Sequence, residues 1–112
     1  QAFFWVERRF VYDGLDNFIN KTHSDEVYLE YPSAVLGFFE HVGLLVDKRF
    51  VNVDVVMDHL GPRIEYSWLK LAPLVRDMRK ERHDEHYGTH FEQLYTLWGS
   101  YAGTYCRLEK TK

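Results

Sequence analysis

The sequence predicts an all-α fold, a compact bundle of about five helices with one helix kinked at Pro73. Apolar residues repeat at intervals of three and four positions along most of the chain, which is the period of an amphipathic helix. Alternation of the β type extends no further than Val51 to Val55. With 46% hydrophobic residues and three prolines, a chain of 112 residues can form one packed core. Residues 1–112 are therefore expected to be a single domain.

The first two predicted helices come from apolar spacing and from proline placement. The first spans residues 2–22, although Gly14 weakens it midway because glycine has a low helix propensity. The second begins near Pro32, since proline suits the first turn of a helix, and continues to Val46. The apolar stripe of the first helix is Phe4, Val11, Leu15 and Phe18.

A short third helix and a longer fourth helix are predicted next. Asn52 can cap the third, which Gly61 ends before Pro62 begins the fourth. Within the fourth helix Pro73 lacks a backbone donor, so we expect the kink there. The apolar stripe of this helix is Ile64, Trp68, Leu71, Val75 and Met78.

The fifth predicted helix starts at Thr89. Thr89 and Glu92 have the spacing of a capping box, in which the threonine side chain acts as the N-cap. We expect Trp68, Phe39 and Leu97 to be buried together. Cys106, near the end of this helix, is assigned no function. The side chains expected on the buried face are Leu94, Leu97, Trp98 and Tyr101.

The composition excludes several classes of function. A net charge of -3 argues against a broad DNA interface, which needs a basic surplus. No apolar run approaches the ~18 residues that a membrane-spanning helix requires. A single cysteine allows no internal disulfide and favours a reducing compartment. Glycine-rich phosphate loops and the common hydrolase and zinc motifs are absent, and no cofactor is expected.

The N-terminal residues suggest a location. Phe3, Phe4 and Trp5 are followed by Arg8 and Arg9, an order typical of the cytoplasmic border of a membrane helix. Since the chain begins with glutamine, we expect a cytosolic domain preceded by a membrane segment, at the cytoplasmic face of the bacterial inner membrane. The alternative interpretation, compatible with the first, is that Phe4, Val11, Leu15 and Phe18 form an ordinary core stripe at helical spacing.

The densest polar segment, residues 76–90, supplies the candidate binding residues. One interpretation is a metal site, with His83 and His86 on one helical face, His90 folding back, and Asp84 or Glu85 completing the ligands. A solvated helix end explains the same residues, because the cluster straddles a predicted turn. The candidate residues are Arg79, Lys80, Arg82, His83, His86 and His90.

A second interpretation is a metal-free ribonuclease. The helical HEPN ribonucleases have an arginine followed after four to six residues by a histidine, and both Arg76 with His83 and Arg79 with His86 match this spacing. Histidine would then act on the ribose hydroxyl, and arginine would stabilise the phosphate charge. About one such match is expected by chance in a chain with this arginine and histidine content, so the pattern discriminates weakly.

The third interpretation is a surface that binds a ligand or a partner. Arginine and lysine can donate to phosphate, and histidine or Tyr87 can stack on a base. Residues 76–85 contain four basic and four acidic side chains, so their net charge is zero. A strong anion site would therefore need several copies of the chain around one ligand, which a cyclic homo-oligomer provides.

Three stretches carry a resemblance to a known family. They are an FFE-x-x-G-x-L-V pattern at residues 38–46, a W-x-x-L-x-P-x-x-x-x-x-R pattern at residues 68–79, and Phe91-Glu92-Gln93-Leu94. Together they resemble a bacterial family of uncharacterised helical domains with an N-terminal membrane segment. The motifs are mostly packing residues, and they indicate a fold more than an activity.

Within this type, size and layout are similar to the membrane-anchored ancillary effectors of type III CRISPR systems, whose cytosolic domain senses cyclic tetra-adenylate. The resemblance implies a non-enzymatic sensor of antiviral defence that binds cyclic tetra-adenylate between the subunits of a homo-oligomer, with a tetramer favoured. It assigns the motif arginine, Arg79, to the site; the other contacts follow from local chemistry alone. A purely structural oligomerisation domain is a further alternative.

Overall fold

Five helices follow one another along the chain. The computed structural model describes the backbone of residues 1–110 and the side chains of residues 1–103. Within these residues there is no strand, so the predicted all-α bundle is confirmed. The molecule measures 51 × 28 × 21 Å. The helices are α1 (Ala2–Arg8), α2 (Leu15–Ser24), α3 (Val27–Asp47), α4 (Val53–Glu81) and α5 (Thr89–Lys110).

The predicted helix over residues 2–22 is two helices. Residues 10–14 leave the helical path, and Gly14, with φ of 92°, precedes α2. The break changes which side chains face inward. Phe4 and Val11 are 52% and 62% exposed, whereas Val6 and Phe10 are fully buried. The stripe expected from an uninterrupted helix was therefore wrong at Phe4 and Val11, because the helical period does not continue across the break.

The aromatic residues at the N-terminus pack against α3. The ring of Phe3 lies 5.2 Å from that of Phe38, and the indole of Trp5 meets the ring of Tyr28 edge-on at 5.0 Å. Phe4 faces outward, with the Arg8 guanidinium 4.4 Å from its ring centroid. Within the described residues, no helix has the length and apolar content to cross a membrane.

The predicted third and fourth helices are one continuous helix, α4. Gly61 does not end it, and both Pro62 and Pro73 lie inside it. The two prolines are 11 residues apart, about three turns, and both lie on the exposed face. There the pyrrolidine rings point away from the core, and the carbonyl groups that lose their helical donors can bind water. The kink at Pro73 stays a prediction.

The helix α3 also contains a proline. It begins at Val27, five residues before Pro32, which is buried within the helix. The prediction that this helix opens at Pro32 was therefore wrong. At the observed start of α3, the Asp25 carboxylate accepts from the Val27 N–H at 3.2 Å. Pro32 is the sixth residue of α3, past the first turn where proline is usual, so its position does not mark the start of the helix.

The core forms where α3, α4 and α5 meet around the ring of Phe91. This ring stacks on Phe39 at 4.8 Å and meets Trp68 edge-on at 5.1 Å. All three residues are buried, which confirms the prediction for Trp68 and Phe39. Leu97 is 43% exposed, so its expected burial with them was wrong. The α5 residue that contacts both Phe39 and Trp68 is Phe91, six residues before Leu97.

Two glycines allow α5 to lie close to its neighbours. A methyl group added at Gly61 on α4 would overlap the six-membered ring of Trp98. A methyl group added at Gly43 on α3 would lie 2.7 Å from the carbonyl carbon of His90. Both distances are far inside van der Waals contact, so only glycine permits this spacing. Gly61, expected to end a helix, instead sets the separation of α4 and α5.

The same kind of hydrogen-bonded turn ends α3 and α4. After α3, the Phe50 N–H donates to the Leu45 carbonyl at 2.9 Å, and Arg49 has φ of 61°. After α4, the Asp84 N–H donates to the Arg79 carbonyl at 3.0 Å, and His83 has φ of 50°. These are Schellman motifs with arginine and histidine where glycine is usual. Without that glycine, the left-handed conformation of Arg49 and of His83 could not be predicted from the sequence.

The packing of Gly61 yields a prediction about stability. We expect Gly61→Ala to reduce the free energy of unfolding by about 1–3 kcal/mol, because the added methyl group displaces Trp98. Gly37→Ala in α3 is the matched control. Nothing lies within 4 Å of its added methyl group, so helix propensity should raise stability by about 0.5–1 kcal/mol. Chemical denaturation followed by circular dichroism measures both; equal effects would contradict the close approach.

A second prediction concerns pH. The Tyr12 hydroxyl donates to Asp77 Oδ2 at 2.5 Å, which fastens the segment between α1 and α2 to α4. Burial raises the pKa of Tyr12 above its ordinary value of 10.0, and the hydrogen bond and charge of Asp77 add to this effect. The unfolded chain therefore loses this proton first as pH rises. The stability that Tyr12 contributes is present below pH about 10 and declines above it.

The measurement is the difference in unfolding free energy between wild type and Tyr12→Phe. We expect wild type to be more stable by about 1 kcal/mol at pH 7. The difference should shrink as the pH rises from about 10 to 12. Taking the difference cancels the titration of the other tyrosines. A difference that stays constant over this range would show that the hydrogen bond does not hold the Tyr12 proton.

Candidate functional site

The candidate site is an open groove at the end of α4, beside the loop that leads to α5. Its volume is about 700 Å³. The last turn of α4 supplies one wall, and the loop over residues 82–88 supplies the other. The groove therefore depends on the turn that ends α4. The lining residues are Arg79, Lys80, His83, Asp84, Glu85 and His86.

Four of the six predicted binding residues line this groove, namely Arg79, Lys80, His83 and His86. The other two point elsewhere. The Arg82 guanidinium lies 5.2 Å from the ring centroid of Tyr87. His90 lies on α5 with its Nδ1 atom 3.3 Å from Glu40 Oε2 on α3. The structure thus brings four of the predicted residues together and leaves Arg82 and His90 outside the groove.

Arg79 is bound within the chain. Its Nε donates to the Tyr87 carbonyl at 2.6 Å, and its Nη2 donates to Glu92 Oε1 at 2.8 Å. The side chain is only 20% exposed. Charge-assisted bonds of this kind tie the end of α4 to the loop and to the first turn of α5. Arg79 therefore shapes one wall of the groove and offers little free surface to a ligand.

His83 occupies the left-handed position of the turn that ends α4. A residue with a Cβ atom costs about 1 kcal/mol in this conformation relative to glycine. The backbone direction carries the exposed His83 side chain into the groove. The Asp84 carboxylate then accepts from the His86 N–H at 3.0 Å, which fixes the next turn of the loop. Hydrogen bonds therefore hold the backbone at both His83 and His86.

The charge of the groove is balanced in a single copy of the chain. The positive groups are Arg79 and Lys80, and the negative groups are Asp84 and Glu85. Glu85 also lies 3.8 Å from His86, with both side chains more than 80% exposed. Lys80 is exposed, and among the described residues it has no ion-pair or hydrogen-bond partner. It is the free cation of the groove.

The metal and ribonuclease interpretations can be compared with these positions. Among the described side chains, no three histidine, cysteine, aspartate or glutamate groups are placed to hold a metal ion. Arg79 and His86, one of the two pairs with ribonuclease spacing, line the same groove, but the Arg79 guanidinium donates to Tyr87 and Glu92. The side chain of Cys106 lies outside the described residues.

The first turn of α5 is capped from α3, which the sequence did not indicate. Glu40 Oε1 accepts from the Phe91 N–H at 2.8 Å, one of the donors that a helix start leaves open. The predicted capping box was wrong although the helix does start at Thr89. The Thr89 hydroxyl donates to the His86 carbonyl, and the Glu92 carboxylate binds Arg79. A carboxylate from another helix takes the place of the local cap.

A second cavity adjoins the groove. It has a volume of about 400 Å³ and lies between α3 and the loop over residues 82–88. His86 and Asp84 line both cavities, so the two are neighbours across the loop. This cavity could not be predicted from the sequence, because Ser33, Gly37 and Glu40 lie beside the loop only through the packing of α3 on α5. Its lining is Ser33, Leu36, Gly37, Glu40, Asp84, His86, Tyr87 and Gly88.

Residues 7–98 match a family described as a domain of unknown function, DUF4760. The chain belongs to the DUF4760 family. The matched region contains all of α2, α3 and α4 and the first half of α5, with the groove and all three motif stretches. The comparison with curated proteins and the comparison with solved structures gave no match. The family description assigns no ligand and no activity to DUF4760 domains.

The cap on α5 gives a testable prediction. We expect Glu40→Ala to lower the free energy of unfolding by about 1–3 kcal/mol, because the Phe91 N–H loses its acceptor in a partly buried place. Glu40→Gln keeps an acceptor oxygen and should cost less than Glu40→Ala. His41→Ala, at the exposed neighbouring position, should change stability by less than about 0.5 kcal/mol. Urea denaturation of the three variants would contradict the cap if all of them equalled wild type.

Proposed function

We propose that this DUF4760 domain is a non-enzymatic sensor that binds an anionic nucleotide, cyclic tetra-adenylate, at the groove beside α4. The observation that carries the proposal is the convergence of Lys80, His83 and His86 on one open groove. Lysine binds phosphate as a point charge, and the histidine rings can stack on a base or donate to an oxygen. The choice of cyclic tetra-adenylate rests on the family resemblance of the sequence.

The charge balance of the groove leads to the second part of the proposal, a homo-oligomer. One copy has two cations against two carboxylates and attracts an anion weakly. Four copies around a rotation axis would place four Lys80 side chains around a ligand with four phosphates. Each contact to a charged group contributes about 1.5–3 kcal/mol before ordering costs. A tetramer at the cytoplasmic face of the bacterial inner membrane, as part of an antiviral defence effector, is the expected assembly.

Arg79 has a different role in this proposal than in the sequence-based expectation. The resemblance assigned Arg79 to the ligand site. Its bonds to Tyr87 and Glu92 mean that Arg79→Ala would also loosen the groove wall and the start of α5. Lys80 is the better probe, because it lines the groove and has no hydrogen-bond or ion-pair partner among the described residues.

The test is the binding of fluorescently labelled cyclic tetra-adenylate to wild type and variants. We expect Lys80→Ala to weaken binding about tenfold or more, since each subunit loses a phosphate contact. His83→Gly should also weaken binding while relieving the left-handed backbone. Lys48→Ala, an exposed lysine just after α3, should bind as wild type does. Higher salt should weaken the wild-type complex.

Other outcomes separate the alternatives. Cleavage of labelled RNA by wild type and not by His86→Ala would favour the ribonuclease with an Arg79 and His86 pair. The absence of both retention and cleavage at about 100 μM protein would favour a domain that serves only in oligomerisation. Equal binding by Lys80→Ala and Lys48→Ala would remove the groove from consideration.

A further inference from the structure

The helix α4 has an exposed face that no other described helix covers. Exposed residues repeat along it at alternating steps of three and four positions, which is the spacing of a helix that packs against another helix. Tyr66 and Leu69 are 58% and 57% exposed at its centre. We call this set the outer stripe. Its members are Val55, His59, Pro62, Tyr66, Leu69, Pro73 and Arg76.

The flanks of the outer stripe are already occupied by contacts within the chain. On one side Arg63 pairs with Glu7 at 3.7 Å, and Lys70 reaches the Phe10 carbonyl at 3.5 Å, so α1 and the segment after it lie there. On the other side Gly61 packs beneath Trp98 of α5. Among the described residues, the seven members of the stripe between these flanks are exposed. Large apolar side chains at regular helical spacing are unusual on such a surface.

We propose that the outer stripe is the contact surface for a second copy of this chain, with the two α4 helices packed antiparallel about a twofold axis. When the antiparallel arrangement is centred between Tyr66 and Leu69, Tyr66 of each copy contacts Leu69 of the other copy. Pro62 then meets Pro73, so the four central layers are apolar. The contact is isologous, because the same surface serves both copies.

Charge selects the antiparallel direction. The carboxylates of Asp54 and Asp58 lie at the N-terminal end of the stripe, and the exposed Arg76 guanidinium lies at the other end. Antiparallel packing brings Arg76 close to Asp58 of the second copy, twice per dimer. Parallel packing would instead place Arg76 beside Arg76 and Asp58 beside Asp58, and like charges in contact are unfavourable.

The size of the contact sets the expected affinity. The stripe from His59 to Arg76 is about 26 Å long, and a single helix pair of this length buries less than a standard interface. We therefore expect a dissociation constant in the micromolar range. The inference does not depend on the proposed nucleotide function, because Tyr66 and Leu69 lie at least 11 residues from Lys80 on the same helix.

Sedimentation equilibrium on the 112-residue chain, between about 5 and 500 μM, tests the proposal. In the absence of nucleotide, we expect a monomer–dimer equilibrium that Leu69→Arg weakens about tenfold or more. Leu29→Arg on α3 is the matched control, because Leu29 is 55% exposed and lies off the stripe. It should dimerise like wild type. A wild type that stays monomeric throughout, or equal association by both variants, would overturn the proposal.

Charge exchange tests the antiparallel direction. Arg76→Glu should weaken dimerisation, and adding Asp58→Arg to the same chain should restore it, since each contact again joins opposite charges. Thermal melting of the variants verifies that the Asp58 change, which removes a hydrogen bond from Tyr101, leaves the monomer folded. A double variant that associates no better than Arg76→Glu would contradict the antiparallel contact. Binding of cyclic tetra-adenylate by Leu69→Arg, which keeps every residue that lines the groove, reports separately on the groove.

Discussion

The rest of the structure depends on the way the first turn of α5 is held between α3 and α4. The Glu40 carboxylate accepts from the Phe91 N–H, Gly43 lets the His90 backbone lie against α3, and the Phe91 ring is enclosed by Phe39 and Trp68. From α4, Arg79 reaches Tyr87 and Glu92. A helix start leaves backbone donors unpaired, so its partial burial requires an acceptor at this place. Glu40 supplies it.

Residues from all three motif stretches meet at this junction. Phe39, Glu40 and Gly43 come from the first motif stretch, Trp68 and Arg79 from the second, and Phe91 and Glu92 from the third. Residues that are far apart in the sequence therefore meet at one place, where they hold the first turn of α5 against α3 and α4. The motif residues that meet here serve packing, and Lys80, His83 and His86, which line the groove, lie outside the three motif stretches.

The shape of the groove depends on the same junction. Because Arg79 and the Schellman turn at His83 fix the loop over residues 82–88, the loop presents Lys80, His83 and His86 on stable backbone. The outer stripe of α4 lies farther along the helix and faces away from the core. Pro62 and Pro73 lie on this face with their rings toward solvent. Neither proline has a backbone N–H to donate to the helix, and their rings add to the apolar surface. Ligand binding and self-association would thus use separate parts of one helix.

The sequence by itself determined the helical class, the burial of Trp68 and Phe39, the start of α5 at Thr89, and the clustering of Arg79, Lys80, His83 and His86, because these follow from local spacing and from proximity along one helix end. Only the tertiary structure decided that α4 is continuous, that Leu97 faces outward, that Glu40 caps α5, and that His90 and Arg82 leave the groove. The physical reason is that proline and glycine act according to their surroundings. Pro62 is tolerated because its face meets solvent, Gly61 is required because Trp98 lies above it, and neither neighbour can be read from the local sequence.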